Sequence, residues 1–311
     1  MTAPSSATEA VLSAPARRAR WAVAVVRTAR PRQWPKNLLV FAAPLAGASL
    51  GRRDGLLYAL VAAAALGFAS VAVYFVNDVA DAGHDRLHPR KRHRPVASGE
   101  LPQRDAVVFG ALCALAGLAA GLLIAEPLLT ATVAAYLGLS FGYSWKLKQV
   151  PVLELLVVAS GFLLRVLGGA AATHVPPSGW FLAVCSLGAL GVVLAKRYTE
   201  LTSLGAEAIE HRPVMRWYRP AALRLSQLTV GAGMIAAYLA WAASEHAPGI
   251  TGARFWHLAS AVPLAAALAR FAYLTGRHTI CRPAPVEDLL TRDGPMLACE
   301  AGWLVLFVAG L

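Results

Sequence analysis

Long apolar stretches alternate with short charged ones along this chain, and the period is that of a membrane protein. Nine stretches approach the roughly 20 mostly apolar residues that an α-helix needs to cross a bilayer core. They lie near residues 36–50, 56–77, 106–125, 128–145, 151–173, 179–195, 226–244, 255–274 and 296–311. The first is short for a span, with Arg52 and Arg53 close behind it. The pattern predicts an all-α, polytopic membrane protein of about nine transmembrane helices. Residues 1–16 are rich in Ala, Ser, Thr and Pro and read as a disordered tail, leaving residues 17–311 as a single transmembrane domain.

Composition agrees: 57% of residues are hydrophobic, 15% are charged and the mean hydropathy is +0.54, which excludes a pair of soluble domains. Cys113, Cys185, Cys281 and Cys299 form no CxxC pair, so neither a disulfide nor a zinc site is indicated. The net charge of +12 raises the question of a nucleic-acid partner. Its distribution answers it. With the N-terminus in the cytosol, all 29 Lys and Arg except four fall on the cytosolic side or at the cytosolic ends of the spans. The four are Arg165, inside a span, and Arg52, Arg53 and Arg254 on the opposite side. The positive-inside rule thus accounts for the charge with no nucleic acid, and places the chain in the inner (plasma) membrane with N-terminus and active site cytoplasmic. The same cations suit contact with anionic membrane lipid. A homo-oligomer is compatible with the pattern.

The second span ends in Asn77-Asp78-Val79-Ala80-Asp81-Ala82-Gly83-His84-Asp85. In a continuing helix Asn77, Asp81 and Asp85 drift only about 40° per step and share one face, with Asp78 roughly 100° away. Hard oxygens with no thiolate suit Mg²⁺, which bridges carboxylates to substrate phosphates. The plainer reading is a solvated helix end, disfavoured because like charges four residues apart repel. Arg86-Leu87-His88-Pro89-Arg90-Lys91-Arg92-His93-Arg94 follows, putting Lys91 and Arg94 beside the acidic face. Acid followed by base suits a phosphate ligand, Arg in bidentate fashion. His84, His88 and His93 read as loop residues.

Between spans four and five Tyr143, Lys148 and Glu154 occur in sequence, and Arg165 follows within span five. Ionisable groups in apolar spans turn toward a cavity or a partner, so Glu154 and Arg165 are either functional or a helix-orienting ion pair. Lys196-Arg197-Tyr198-Thr199-Glu200 closes span six. Ahead of span one, Arg30-Pro31-Arg32-Gln33-Trp34-Pro35-Lys36-Asn37 offers Lys36 and Asn37 to a phosphate, with Trp34 as an interface anchor.

The order NDxxDxxxD, Tyr143 with Leu147-Lys148, an acidic residue and Arg165 resembles the UbiA superfamily of intramembrane prenyltransferases, over nearly the whole chain. The resemblance implies nine helices around a central cavity and Mg²⁺-bound diphosphate under a cytosolic cap. The chain departs from that pattern after span six, where KRYTE replaces a second aspartate motif. This departure, with RPRQWPKN and Arg92-His93-Arg94-Pro95-Val96-Ala97-Ser98-Gly99, is similar to the decaprenyl-phosphate phosphoribosyltransferase branch. In that branch a phosphoribosyl group would pass from phosphoribosyl pyrophosphate to a polyprenyl phosphate, for cell-wall arabinan precursors. The implied catalytic residues are Asp78, Asp81, Asp85, Glu154 and Glu200. Substrate would meet Lys36, Asn37, Lys91, Arg94, Tyr143, Lys148, Arg165, Lys196, Arg197 and Tyr198, with Asn77, Asp81 and Asp85 as metal ligands. Arg165 is the residue expected to meet the acceptor. Two other readings stand beside this one: an ordinary prenyltransferase acting on an aromatic acceptor, and a lipid transporter or scaffold, against which speak the absence of repeats and the charges gathered at one face.

Overall fold

The computed structural model describes residues 14–87, 91–244, 251–281 and 286–311, and every regular element among them is helical. Residues 1–13, most of the expected disordered tail, and His88 lie outside the described residues. The chain opens with α1 (Ala14–Thr28), a 3₁₀ helix (Pro31–Phe41) and the short α2 (Ala42–Ala46). There follow α3 (Arg53–Ala80), α4 (Ala82–Leu87), α5 (Pro95–Ser98), α6 (Gln103–Leu123), α7 (Pro127–Trp145) and α8 (Leu153–Thr173). The second half holds α9 (Gly179–Leu204), α10 (Ala206–His211), α11 (Pro220–Ser244), α12 (Thr251–Cys281), α13 (Val286–Arg292) and α14 (Gly294–Ala309).

Among the described residues, six helices are long and apolar enough to cross a membrane: α3, α6, α8, α9, α11 and, over Ala253–Arg277, α12. These match six of the expected spans. Helix α7 falls on the fourth, but Thr130, Thr132, Tyr136, Ser140, Tyr143 and Ser144 dilute its 19 residues. Helix α14 falls on the ninth; its 16 residues extend roughly 24 Å, less than a bilayer core.

The first expected span departs most from a straight helix. Pro31, Pro35 and Pro44 remove backbone donors, so residues 31–41 wind as a tighter 3₁₀ helix and only Ala42–Ala46 become α-helical. This broken segment packs against α3 and α8. The approach to α8 depends on a glycine, since a Cβ on Gly169 would sit 1.8 Å from the carbonyl oxygen of Val40.

Two packed halves meet at α8. Around α3 lie α6, α7 and α8, joined by a core of Leu66, Ala69, Val73, Leu129, Val133 and Tyr136. Around α9 lie α11 and α12, with α14 on the outer side of α12. At the face away from the acidic motif Leu45 and Ala46 of α2 close against Tyr238, Trp241 and Phe307. At the acidic face α1 lies over the mouth, where Trp21 Nε1 donates to Asp105 at 2.8 Å and Arg27 pairs with Glu100 at 2.8 Å.

Candidate functional site

The acidic motif straddles the end of α3. Backbone bonds from Asp81 N to Asn77 O and from Asp85 N to Asp81 O, both 2.9 Å, carry the helical pattern across the break into α4. The expected common face of Asn77, Asp81 and Asp85 nevertheless divides. Residues seven apart differ by only about 20° around a helix, against about 80° for residues eight apart, so Asp85 aligns with Asp78 and not with Asn77. Asp78 and Asp85 are buried and share Arg94, whose Nη1 lies 2.7 Å from Asp85 and 3.5 Å from Asp78. Arg30 also pairs with Asp78 and lies 5.0 Å above the Tyr74 ring. Arg30 holds a left-handed backbone (φ 52°), uncommon for a residue with a side chain.

Asn77 and Asp81 turn the other way, toward the α7–α8 connection. Ser144 Oγ donates to Asn77 Oδ1 at 2.7 Å. Lys148 Nζ stands 3.8 Å from Asp81, with side chains 38% and 44% exposed. Three carboxylates therefore meet three cations from three separate segments.

A second charged group forms where α8 begins and α9 ends. The buried Glu154 accepts two bonds from Arg197, 2.8 Å to Oε1 and 2.7 Å to Oε2, with side chains 0% and 3% exposed. Arg197 Nη1 also reaches Glu200 at 3.0 Å, and its Nη2 reaches Tyr143 Oη at 3.4 Å. From the segment after α10, Arg212 donates to Tyr143 Oη at 2.7 Å and lies 3.6 Å from Glu154 and 3.8 Å from Glu200. Tyr218 Oη lies 3.4 Å from Glu154 and accepts the Val152 N–H at 3.0 Å. Burial is the main cause that pushes the Tyr218 hydroxyl above its usual pKa, so it keeps its proton at neutral pH.

Glu154 and Arg165 do not form the helix-orienting pair that their shared span allowed. Arg165 lies roughly 18 Å along α8 from Leu153 and is 5% exposed. Its partners among the described residues are neutral. Nε donates to Asn37 Oδ1 at 2.9 Å, Nη1 to Gly161 O at 2.6 Å, and Nη2 to Ser70 at 2.9 Å and Tyr136 at 3.0 Å. Tyr136 and Phe162 lie against its plane. Arg165 and Asn37 thus tie the broken first segment to α3, α7 and α8.

Of the other expected residues, Lys36 is half-buried on the first 3₁₀ helix, Lys91 opens a short 3₁₀ helix (Lys91–His93) past the acidic motif, and Lys196 is exposed on α9. Tyr198 lies under Arg224, 5.6 Å from guanidinium carbon to ring centre. The sequence reading did not single out Arg30, Arg212 or Tyr218. Each lies within two residues of a proline: Arg30 precedes Pro31, Arg212 precedes Pro213, and Tyr218 stands two residues before Pro220. Such positions hold extended or turn backbone and can aim a side chain back at a site.

No three acidic, His or Cys side chains among the described residues converge as a metal cage. The oxygen donors of Asn77 and Asp81 suit Mg²⁺ all the same, because that ion keeps several waters and takes one or two carboxylates plus substrate phosphates.

Residues 37–284 match the profile of the UbiA prenyltransferase family. A decaprenyl-phosphate phosphoribosyltransferase of Mycobacterium tuberculosis is 34% identical over 284 residues, covering 90% of this chain and 91% of that protein. The Corynebacterium glutamicum protein of the same name is 33% identical over 291 residues, covering 91% and 85%. Among solved structures, a UbiA homologue from Archaeoglobus fulgidus bound to GPP and Mg²⁺ superposes with a TM-score of 0.69 at 15% identity, covering 91% of this chain and 99% of that one. A UbiA homologue from Archaeoglobus fulgidus bound to Cd²⁺ matches at a TM-score of 0.64 and 15% identity, covering 92% of this chain and 98% of that one.

Proposed function

Because the chain belongs to the UbiA prenyltransferase family, we propose that it moves a 5-phosphoribosyl group from phosphoribosyl pyrophosphate onto a polyprenyl phosphate, releasing diphosphate. The relatives of that name, at 33–34% identity over nine-tenths of the chain, support the activity. The observation that carries it is the state of the second charged group. Where a second acidic motif would hold a second metal, Glu154 and Glu200 are both engaged by Arg197, with Arg212 beside them. A mouth with that many arginines suits a donor bearing phosphate at both ends better than one ending in an isoprenyl chain.

In this reading an acceptor phosphate oxygen bonds to C1 of the ribose as the bond from C1 to the diphosphate oxygen breaks, and the electron pair leaves with diphosphate. The acceptor is already an anion, so no protein base is required. Arg30, Arg94 and Lys148 rest on carboxylates in the half-open mouth and can turn to the donor phosphates. Asn77 and Asp81 would hold Mg²⁺, while Asp78 and Asp85 on the neighbouring face hold Arg30 and Arg94 in place. Bound there, Mg²⁺ would supply charge stabilisation for the departing diphosphate. Glu154, enclosed by Arg197, Arg212 and Tyr218, acts through the positions it fixes; the half-buried Glu200 is the carboxylate we assign to the ribose. Arg165, with its guanidinium already engaged by neutral partners deep in α8, is a positioning residue in this account. The mouth faces the cytosol of the plasma membrane, where a soluble sugar phosphate is supplied.

The test is purified protein in lipid nanodiscs given radiolabelled phosphoribosyl pyrophosphate and decaprenyl phosphate. Label should pass to the lipid, cease in excess EDTA and return with Mg²⁺. Transfer of an isoprenyl chain to an aromatic acid, with none of the sugar phosphate to the lipid, would refute the proposal.

A further inference from the structure

Beside the second charged group, Arg224 is met by neutral partners among the described residues. Arg224, on the second turn of α11, donates to Gln227 Oε1 at 3.0 Å and to Thr275 Oγ1 of α12 at 3.1 Å. Gln227 in turn donates to Thr275 at 3.2 Å. Gln227 and Thr275 are buried, so the frame is built before any ligand arrives. The guanidinium lies over the ring of Tyr198 from α9. Gly276 leaves room beside it, since a Cβ there would stand 3.3 Å from Nη2.

The contrast with the arginines of the two charged groups is one of charge. Arg30, Arg94, Arg197 and Arg212 each have a carboxylate within 3.8 Å, whereas among the described residues the positive charge of Arg224 is framed by dipoles and a ring face. A half-exposed cation held in that way is pre-organised for an anion. The position on α11 narrows the anion further. Leu223 and Gln227 on one side are buried, while Leu225 and Leu228 on the other are large exposed apolar groups of the kind that face hydrocarbon. Arg224 thus stands on the border between packed helix and lipid, level with the mouth.

We propose that Arg224, framed by Gln227, Thr275 and Tyr198, is a subsite for the phosphate of a membrane lipid. On the functional reading above, that lipid is the polyprenyl phosphate acceptor, whose chain stays in hydrocarbon while its head reaches the mouth. Tyr198 follows Arg197 directly in sequence, so the subsite adjoins the second charged group.

The experiment is a binding titration of the full chain in detergent micelles with farnesyl phosphate, a short polyprenyl phosphate, against farnesol, with no sugar donor present. Wild type should prefer farnesyl phosphate at least tenfold. Arg224→Gln should abolish the preference, Arg224→Lys retain part of it, and Thr275→Val weaken it several-fold by loosening the frame. Should Arg224→Gln fail to fold, Thr275→Val and Arg224→Lys carry the test. Unchanged preference in the folded variants overturns the subsite. Equal displacement of farnesyl phosphate by phosphatidylglycerol would make it a general headgroup site and overturn the acceptor assignment. Because no phosphoribosyl pyrophosphate is present, these outcomes are independent of whether the transfer reaction is found.

Discussion

The two charged groups at the mouth use the same chemistry to opposite ends. Around the end of α3, carboxylates meet cations through single contacts, and Asp81 and Lys148 stand 3.8 Å apart, both more than a third exposed. Where α8 meets α9, Glu154 and Arg197 form a two-point pair with almost no exposure. An open, loosely held pair contributes little stability and exchanges partners readily. A buried bidentate pair behaves as a strut, because separating it strands a charge in a poor solvent. The open Asp81–Lys148 contact suits the first group to ligand exchange, and the buried pair suits the second to holding α8, α9 and the Arg212 segment in register.

The largest expected effect lies in the strut. Glu154→Gln leaves the Arg197 charge without its two-point partner and should cost on the order of 3–5 kcal/mol of stability. Thermal unfolding in micelles, followed by tryptophan fluorescence, should show a lowered transition. The double variant Glu154→Gln with Arg197→Met should recover much of the loss, since no charge is stranded. An unchanged transition in Glu154→Gln would break the comparison at its stronger end.

Next comes Asp81→Asn in the exchanging group. Turnover should fall roughly 10²–10³-fold, the scale of losing one charge-stabilising group. The unfolding transition should hardly move, because Asp81 is half-exposed and its contact with Lys148 is long. A variant that kept its activity and lost its stability instead would exchange the roles of the two groups.

The difference between the groups also marks what the sequence could tell. Apolar runs announced α3, α6, α8, α9, α11 and α12, because burial in lipid is a local demand on composition. The broken first segment was signalled only by Pro31, Pro35 and Pro44, since its place between α3 and α8 depends on close approaches such as Gly169 to Val40. The acidic motif was legible as a helix end. Its division follows from the same helical period, but the cations that take each side, Arg94 and Lys148, arrive from other segments and were not legible there. Glu154 and Arg165 share one span and invited pairing, yet Glu154 takes Arg197, 43 residues away. Partner choice across such distances is a property of helix packing and leaves no local mark.

A smaller effect sharpens the exchanging group. Lys148→Ala should raise KM for phosphoribosyl pyrophosphate about tenfold, near 1.4 kcal/mol, with kcat little changed. Both side chains are part-exposed, so the wild-type advantage should shrink with added salt. A KM that ignores both the substitution and the salt would remove Lys148 from the donor site.

The smallest effect concerns the hinge shared by the two groups. Val152 sits between Lys148 of the first and Glu154 of the second with φ 64° and ψ −48°, a γ-turn closed by Leu153 N to Pro151 O at 2.7 Å. That conformation is strained, more so for a β-branched residue, and strain of this kind costs on the order of 1–3 kcal/mol. Tyr218 holds it by accepting the Val152 N–H at 3.0 Å while its hydroxyl lies 3.4 Å from Glu154. Tyr218→Phe keeps the ring and loses both contacts, and should cost about 1 kcal/mol. Val152→Gly relaxes the turn with little loss of packing, because Val152 is exposed. If Tyr218 acts by holding the turn, its removal should matter less in the Val152→Gly background than in wild type, a non-additivity that a double-mutant cycle on unfolding reads directly. Additive costs would mean that Tyr218 serves Glu154 alone and that the turn needs no clamp. A rise in KM for the donor in Tyr218→Phe, rescued by Val152→Gly, would show in addition that the turn sets Lys148 as well as Glu154, and so links the exchanging group to the strut.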